Sequence, residues 1–292
     1  MKNKYIYLGC VFLFLIIIKF INPPIIQKIS FINYDFYQKV FNRGEVKDIT
    51  IVDIDEKSIA KIGQFPWRRD TYSKILTNLN LHNPKAIAFD IVFSEEDKQN
   101  PKDLLSKLQV ESDQLIDIDV IDTNKIFVKS IKNSKVILPI LGDPKDNFVK
   151  NNSKPKLRLI VKGENPKNFI YKFKNKIISL EEISSVASGI GSISLIPSID
   201  GVIRNVPVLY NIDDNLWPSL ALETVRIATG QKNLLVKSSK NGIDLIKTKK
   251  NIIPSDQNAV INVKYNKFSK NNYVSAVDVI NNDFDHKRVE NK

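Results

Sequence analysis

The chain has 292 residues, of which 26% are charged and 42% hydrophobic, a balance typical of a folded protein and not of a disordered or fibrous one. Its single cysteine, Cys10, excludes a disulfide framework and a cysteine-based zinc site. With only two histidines, a histidine-rich metal site or a histidine-centred hydrolase is disfavoured. We therefore expect no metal site built on cysteine or histidine, and we expect no cofactor.

The charge is strongly positive, with 44 Lys and Arg residues against 32 Asp and Glu residues and a net charge of +12. Such an excess can indicate a nucleic-acid partner or an acidic membrane surface. Here the lysines are scattered along the whole chain, and no stretch interleaves basic with aromatic residues. We therefore expect no nucleic-acid partner.

The first predicted element is an apolar helix at the N-terminus. As a helix, the seventeen residues 5–21 rise about 26 Å, close to the roughly 30 Å of a bilayer core, so the sequence predicts one transmembrane helix there. Pro23 and Pro24 end this helix. Lys2 and Lys4 favour a cytoplasmic location for residues 1–4, which places the rest of the chain outside the cytoplasm.

A cleaved signal peptide is the alternative interpretation of this segment, because its apolar run is short and basic residues precede it. No small-x-small cleavage motif follows the run, so we favour the uncleaved anchor. No later stretch approaches 18 apolar residues. The expected location is therefore a cell membrane, crossed once, with the bulk of the chain periplasmic or extracellular.

The body of the chain begins with a strand–helix–strand pattern. Residues 48–55 and 85–93 are rich in β-branched residues and predict two strands, while residues 70–79 carry apolar side chains at helical spacing behind Asp70, a predicted N-cap. This order predicts a right-handed βαβ unit with parallel strands. Residues 135–140 predict a further strand, so the expected fold is α/β with a mixed sheet, a parallel βαβ core and helices.

The second half of the chain predicts shorter elements. Residues 142–176 are rich in Lys, Asn, Pro and Asp, which indicates a loop-rich excursion. An Asp-Gly pair between apolar runs predicts a hairpin turn at Asp200–Gly201. The remaining predictions are a turn at 213–215, a helix over 218–229 that ends at Gly230, strands over 242–246 and 259–264, a short helix over 275–280 and a polar tail over 281–292.

Three carboxylates follow the first two predicted strands. Asp53 and Asp55 are two residues apart, hence on one face of a strand, and Asp90 lies near the end of the neighbouring strand. Open α/β sheets bind ligands at this edge, so one hypothesis is a divalent-cation or phosphate-linked site. The alternative is that these acids cap helices and pair with Arg68 and Arg69.

The stretch from Phe65 to Asp70, FPWRRD, is the most unusual in the chain. One hypothesis is that Trp67 and Arg69 line a ligand cleft. The alternative is that Trp67 is a core residue that fixes the loop, with Arg69 bound to an aspartate.

Several motifs together resemble those of the CHASE2 sensor domain family. They are IVDIDEKS (51–58), GQFPWRR (63–69), AIAFDIVFSE (86–95), DGVIR (200–204) and PSLA (218–221), in the order of that family. The resemblance covers about residues 35–280 and is most specific at its start. Seven residues occupy signature positions of the family, and we expect them to lie at the edge of the sheet where a ligand would bind. They are Asp53, Asp55, Trp67, Arg69, Asp90, Asp200 and Arg204.

The resemblance implies an extracytoplasmic input domain of a bacterial membrane receptor that responds to a small molecule or a physical stimulus. Relatives place such a domain after one transmembrane helix and before further membrane helices and a cytoplasmic output, such as an adenylate cyclase or a kinase. The resemblance implies no catalytic residues and no cofactor. Signalling is expected through a homodimer or a separate cytoplasmic output protein.

The chain departs from the family after residues 277–280, where the usual Gly-rich closing strand and the output domain do not follow. Three hypotheses result. The first is a membrane-anchored sensor, either complete or truncated. The second is a remnant or N-terminal part of a split receptor adenylate cyclase or kinase, and the third is a periplasmic divalent-cation-dependent enzyme that uses Asp53, Asp55 and Asp90.

Overall fold

The computed structural model describes residues 2–21, 23–41, 46, 48–107, 121–144, 152–249 and 251–292. Part of the predicted loop-rich excursion, residues 145–151, lies outside the described residues. The chain divides into two units. Met1–Val46 and Lys264–Phe268 form the first, and Lys47–Val263 with Ser269–Lys292 form the second.

The described residues form nine α-helices and fifteen strands. The helices are α1 (Lys2–Ile21), α2 (Pro24–Val40), α3 (Glu56–Ile62), α4 (Arg69–Asn80), α5 (Pro101–Lys107), α6 (Thr123–Lys132), α7 (Glu181–Ser184), α8 (Leu220–Ala228) and α9 (Ala276–Ile280). The strands are β1 (Ile51–Asp53), β2 (Ile87–Ala88), β3 (Val136–Asp143), β4 (Arg158–Gly163), β5 (Lys172–Phe173), β6 (Asn175–Ile178), β7 (Gly189–Ser192), β8 (Asn205–Pro207), β9 (Leu209–Ile212), β10 (Asn215–Pro218), β11 (Asn233–Ser239), β12 (Gly242–Lys247), β13 (Ile252–Ile253), β14 (Val260–Asn262) and β15 (Tyr273–Ser275).

The first unit contains α1 and α2. Pro23 caps α2 and Pro24 occupies its first turn, a position where proline costs no hydrogen bond. The sequence predicts the end of α1 but not the helix that follows it. Within the described residues, no helix combines the length and the apolar character that a membrane span requires. The predicted transmembrane helix over 5–21 is therefore unsupported, and the uncharged part of α1, residues 5–18, rises only about 21 Å.

The central sheet of the second unit is built around β3. β2 and β7 run parallel to β3, and β6 runs antiparallel to it. The crossover from β2 to β3 contains α6, so a parallel βαβ core is present, and the predicted α/β class with a mixed sheet is confirmed.

The predicted pairing of the first two strands is wrong. β1 pairs in parallel with β15, with Ile51 opposite Tyr273, while β2 lies in the sheet of β3. Both strands are also shorter than their apolar runs. Ile51 and Asp53 are exposed, so β1 packs only the face that carries Val52, and it lies in a two-stranded sheet.

The turn predicted at Asp200–Gly201 is present, but it does not join two paired strands as a hairpin. Gly201 has a φ of 81° and sits in a turn, but the next strand, β8, pairs with β14 instead of the chain before the turn. The observed hairpin joins β9 to β10. Its turn residues Asp213 and Asp214 have φ values of 51° and 52°, as a tight hairpin requires, and the predicted turn there is confirmed.

Three clusters of buried apolar residues hold the second unit together. One lies between α4, α6, α9 and the central sheet, one under the β4–β11–β12–β13 sheet, and one around Trp217. The tail over 281–292 packs onto this unit, because Val289 is 5% exposed and belongs to the first cluster. The first cluster is the one that positions the candidate site.

Candidate functional site

The seven signature residues fall in three places. Asp53 and Asp55 follow one another at the end of β1, and Trp67, Arg69 and Asp90 line one cleft. Asp200 and Arg204 form an ion pair with 2.9 Å between Oδ1 and Nη1.

Asp55 is the N-cap of α3. Its Oδ1 accepts hydrogen bonds from the Ser58 backbone N at 2.9 Å, from the Ser58 hydroxyl at 2.6 Å and from the Ser275 hydroxyl at 2.8 Å. Burial raises the pKa of Asp55, but the hydrogen bonds outweigh it, and the pKa lies below its usual value. Asp55 thus joins α3 to β15, as the helix-cap alternative predicts.

The predicted three-carboxylate site does not form. No group of three or more His, Cys, Asp or Glu side chains suited to hold a metal ion occurs among the described residues. Asp53 is exposed on β1 and Asp90 belongs to the cleft. The physical reason is the strand pairing, because β1 and β2 lie in different sheets and their ends are not neighbours.

The cleft that contains Arg69 has a volume of about 480 Å³. One wall is the segment before α4 with the start of that helix, and the other is the chain after β2. We call it the Arg69 cleft. Its lining residues are Phe65, Pro66, Trp67, Arg69, Tyr72, Asp90, Ile91, Val92, Ser94, Glu95, Glu96, Asp97, Lys98 and Gln99.

Trp67 anchors the first wall. Its side chain is 5% exposed within the first apolar cluster, and its Nε1 donates a hydrogen bond of 2.8 Å to the Gly63 carbonyl. Its ring lies 6.2 Å from that of Tyr72. Trp67 therefore holds the segment before α4 against the core and also lines the cleft. It combines the core role and the cleft-lining role that the sequence leaves open as alternatives.

Arg69 is the first residue of α4 and is only 8% exposed. Its Nη2 donates to the Glu95 carbonyl at 2.8 Å, and its guanidinium lies 4.4 Å above the centre of the Phe93 ring. Burial lowers the pKa of the Arg69 guanidinium, which remains charged at neutral pH because arginine starts so high. The Asp97 and Glu182 carboxylates favour the charged guanidinium through longer-range electrostatic attraction, but no carboxylate within the described residues forms an ion pair with it.

Asp97 fixes the second wall to the first. Its Oδ2 accepts hydrogen bonds from the Arg69 backbone N at 2.8 Å and from the Thr123 hydroxyl at 2.7 Å, and its Oδ1 accepts one from the Gln99 backbone N at 3.0 Å. It therefore satisfies the N-terminus of α4 from outside the helix. Asp70, the predicted N-cap, instead pairs with Arg68 at 2.6 Å, and Arg68 holds the N-cap position. The sequence pattern does not indicate Asp97.

The remaining charges of the cleft differ in how they are used. Glu95 pairs with Lys98 at 2.8 Å, and both side chains are mostly exposed. Asp90 and Glu96 are exposed, and no ion pair involves either of them within the described residues. The Arg69 Nε is buried without a hydrogen-bond partner in that part of the chain. The cleft thus combines a buried cation with accessible carboxylates.

The model of the CHASE2 domain family matches residues 10–292, almost the whole chain. The chain belongs to the CHASE2 domain family. This match confirms the predicted resemblance. CHASE2 domains are extracytoplasmic sensory domains. The match extends on both sides of the expected 35–280 and includes the polar tail. No curated protein and no solved structure is detectably similar to the chain.

Proposed function

We propose that this CHASE2 domain is the input domain of a bacterial membrane receptor and that it receives a small-molecule stimulus in the Arg69 cleft. The single observation that carries the proposal is Arg69, a cation that is 8% exposed and lines a cleft without an ion-pair partner in the described chain. A buried charge is costly unless it is paired. A ligand anion supplies the missing partner, and two of the motifs that resemble the family, residues 63–69 and 86–95, contribute most of the cleft walls.

The proposal includes attachment to the inner membrane through α1, with the body of the chain on the outer side. The support is the surface of α1, where large apolar side chains are exposed: Phe12 is 67% exposed, Leu13 59% and Phe14 61%. Contiguous apolar surface of this kind marks contact with a membrane or a partner. The signal passes to a cytoplasmic output domain or protein, and the chain itself performs no catalysis.

Reporter fusions test the location. Alkaline phosphatase, which folds only outside the cytoplasm, is fused after Lys292 in a bacterial host, and β-galactosidase is fused at the same site in a parallel strain. We expect an active phosphatase, an inactive galactosidase and a fusion in the membrane fraction. The opposite pair of activities would contradict an extracytoplasmic sensor.

A pair of lysine substitutions tests the attachment. Leu13→Lys puts a charge into the exposed apolar surface of α1, while the control Ile252→Lys changes a residue of the body that is 68% exposed. A charge within a membrane-embedded surface costs about 2.5–3.5 kcal/mol at the bilayer centre and less at its boundary. We expect the first variant to leave the membrane fraction more readily and the control to behave as wild type. Equal membrane fractions would argue against α1 as the attachment.

A further inference from the structure

The Arg69 side chain is pre-positioned for a carboxylate. The contact of Nη2 with the Glu95 carbonyl and the contact of the guanidinium with the Phe93 ring fix its plane. Its Nε is buried and has no hydrogen-bond partner within the described residues. A planar guanidinium held in this way binds a carboxylate or phosphate oxygen with little loss of side-chain entropy.

The charge of the cleft selects between these anions. Its lining contains the four carboxylates of Asp90, Glu95, Glu96 and Asp97 against the two cations Arg69 and Lys98, a difference of −2. A phosphate dianion entering this field would be repelled by the carboxylates. A ligand with a single negative charge and a positive charge of its own meets complementary groups.

The carboxylates that are left for a ligand cation are Asp90 and Glu96. Asp97 is committed to the α4 N-terminus and Thr123, and Glu95 is paired with Lys98. Asp90 lies on the wall that follows β2, exposed to the cleft and without an ion pair in the described chain. It is therefore a stronger candidate for an ammonium group than Asp97, which is buried, or Glu95, which is paired with Lys98.

The apolar lining adds room for a side chain. Phe65 is 45% exposed beside Trp67 and Tyr72, and the cleft of about 480 Å³ lies in the range of small-molecule sites. Aromatic faces of this kind favour apolar groups and also ammonium groups.

From these contacts we infer that the Arg69 cleft binds a zwitterionic small molecule of the amino-acid class, with its carboxylate on Arg69 and its ammonium on Asp90. This inference rests on the proposed function and names the ligand class of the same site. It assigns the aromatic lining around Phe65 to the remainder of the ligand.

Thermal unfolding of the full chain in detergent tests the inference. Each of the twenty proteinogenic amino acids is added singly at millimolar concentration, and every one that raises the Tm is compared with its amide, its deaminated acid and inorganic phosphate. We expect at least one amino acid to raise the Tm by several degrees, while the two singly charged analogues and phosphate raise it much less.

Three variants locate the two charges. Arg69→Gln and Asp90→Asn are each expected to weaken the affinity for the active amino acid, measured by titration calorimetry, at least about tenfold. Arg68→Gln is the matched control, because Arg68 pairs with Asp70 and does not line the cleft. Asp90 is exposed, so Asp90→Asn keeps the test valid if Arg69→Gln does not fold.

The outcomes separate the ligand class from the function. The inference that the ligand is a zwitterion would be overturned if Asp90→Asn left the affinity unchanged or if phosphate alone stabilised the chain. A Tm that no amino acid raises would also overturn it, whereas the sensory function would stand if the reporter fusions place the body outside the cytoplasm. A cytoplasmic body with amino-acid binding intact would overturn the function and leave the ligand class in place.

Discussion

Asp53 and Asp55 are two residues apart but have different roles, because Asp53 ends β1 and Asp55 is the N-cap of α3. Asp55 accepts three hydrogen bonds on one oxygen, whereas the Asp53 side chain is exposed and forms no hydrogen bond or ion pair within the described residues. The spacing of the two acids indicates a shared site, but the cap geometry selects only Asp55. The difference gives a matched pair of variants.

Asp55→Ala is expected to destabilise the chain by about 1–2 kcal/mol, because it removes the N-cap of α3 and the link to Ser275. Asp53→Ala is expected to change the free energy of unfolding by less than about 0.5 kcal/mol. Urea denaturation of both variants at neutral pH measures this. Equal losses would favour a joint role for the two carboxylates.

The stability that Asp55 contributes depends on pH. Its pKa is lower in the folded chain than in the unfolded chain, since the hydrogen bonds from Ser58 and Ser275 outweigh burial. The contribution is therefore complete above the unfolded pKa and is lost as the pH falls through the folded pKa. We expect the gap in stability between wild type and Asp55→Ala to shrink below about pH 4, and a gap that stays constant down to about pH 2 would contradict this.

Trp67 and Phe65 flank Pro66 and differ in burial. Trp67→Ala is expected to cost about 3–5 kcal/mol, because the side chain is 5% exposed in the core. Phe65→Ala is expected to cost less than about 1 kcal/mol, because that ring is 45% exposed. Chemical denaturation followed by far-UV circular dichroism gives both values, and a Trp67→Ala variant as stable as wild type would remove its structural role.

At the level of elements, β7 and α8 pack so closely that no side chain fits between their backbones at Gly191. A Cβ on Gly191 would lie 2.6 Å from Leu220 Cα and 2.8 Å from the Ser219 carbonyl oxygen. The pair Gly189 and Gly191 therefore reflects the close packing of a helix on a strand.

Gly191→Ala is expected to destabilise the second unit by about 1–3 kcal/mol, because the backbone of α8 must move to admit the methyl group. The control is Gly9→Ala, where a Cβ meets nothing within 4 Å. Denaturation curves of the two variants separate crowding from the general effect of replacing glycine. No loss in Gly191→Ala would show that the helix moves freely.

The sequence predicts elements whose signals are local. The apolar spacing of α4, the run of β3, the Asp213–Asp214 turn and α9 all follow from patterns within a few residues of each other, and the structure confirms them. The partner of β1 could not be predicted in this way, because β15 lies more than 200 residues away and its own pattern is ordinary.

The candidate site divides in the same way. The unusual composition of residues 65–70 is enough by itself to single out Trp67 and Arg69. Asp97 is missed, because its role depends on a loop that returns to the N-terminus of α4, and nothing near it in the sequence marks that contact. Asp90 is predicted as a site residue, but its predicted companions lie elsewhere, because Asp53 ends a strand of another sheet and Asp55 caps α3.

For the whole second unit, the C-terminal tail packs against the start of the body. Arg288 Nη1 donates to the Tyr273 carbonyl at 3.1 Å, the Thr50 hydroxyl donates to the Arg288 carbonyl, and Val289 is buried in the first cluster. The tail is polar in composition, yet it contacts Tyr273 of β15 and Thr50, the residue before β1. Its role is therefore in holding the two ends of this unit together.

Removal of residues 281–292 is expected to lower the stability of the second unit by at least about 2 kcal/mol, since Val289 alone buries a full side chain. Limited proteolysis and the Tm of the shortened chain measure the effect. A control with Lys287→Gln, an exposed residue of the same segment, is expected to behave as wild type. A shortened chain as stable as the full one would show that the tail does not stabilise the unit.

The role of the Arg69 cleft as the input site is tested most directly by tryptophan fluorescence of the full chain. Its two tryptophans are Trp67 in the cleft wall and Trp217 in a separate cluster, so Trp67→Phe removes the reporter at the cleft. The probes are free amino acids, organic acids, amines, sugars and nucleotides, each titrated singly. We predict a saturable emission change with at least one probe that Trp67→Phe abolishes; a folded wild type whose emission no probe changes would contradict the account.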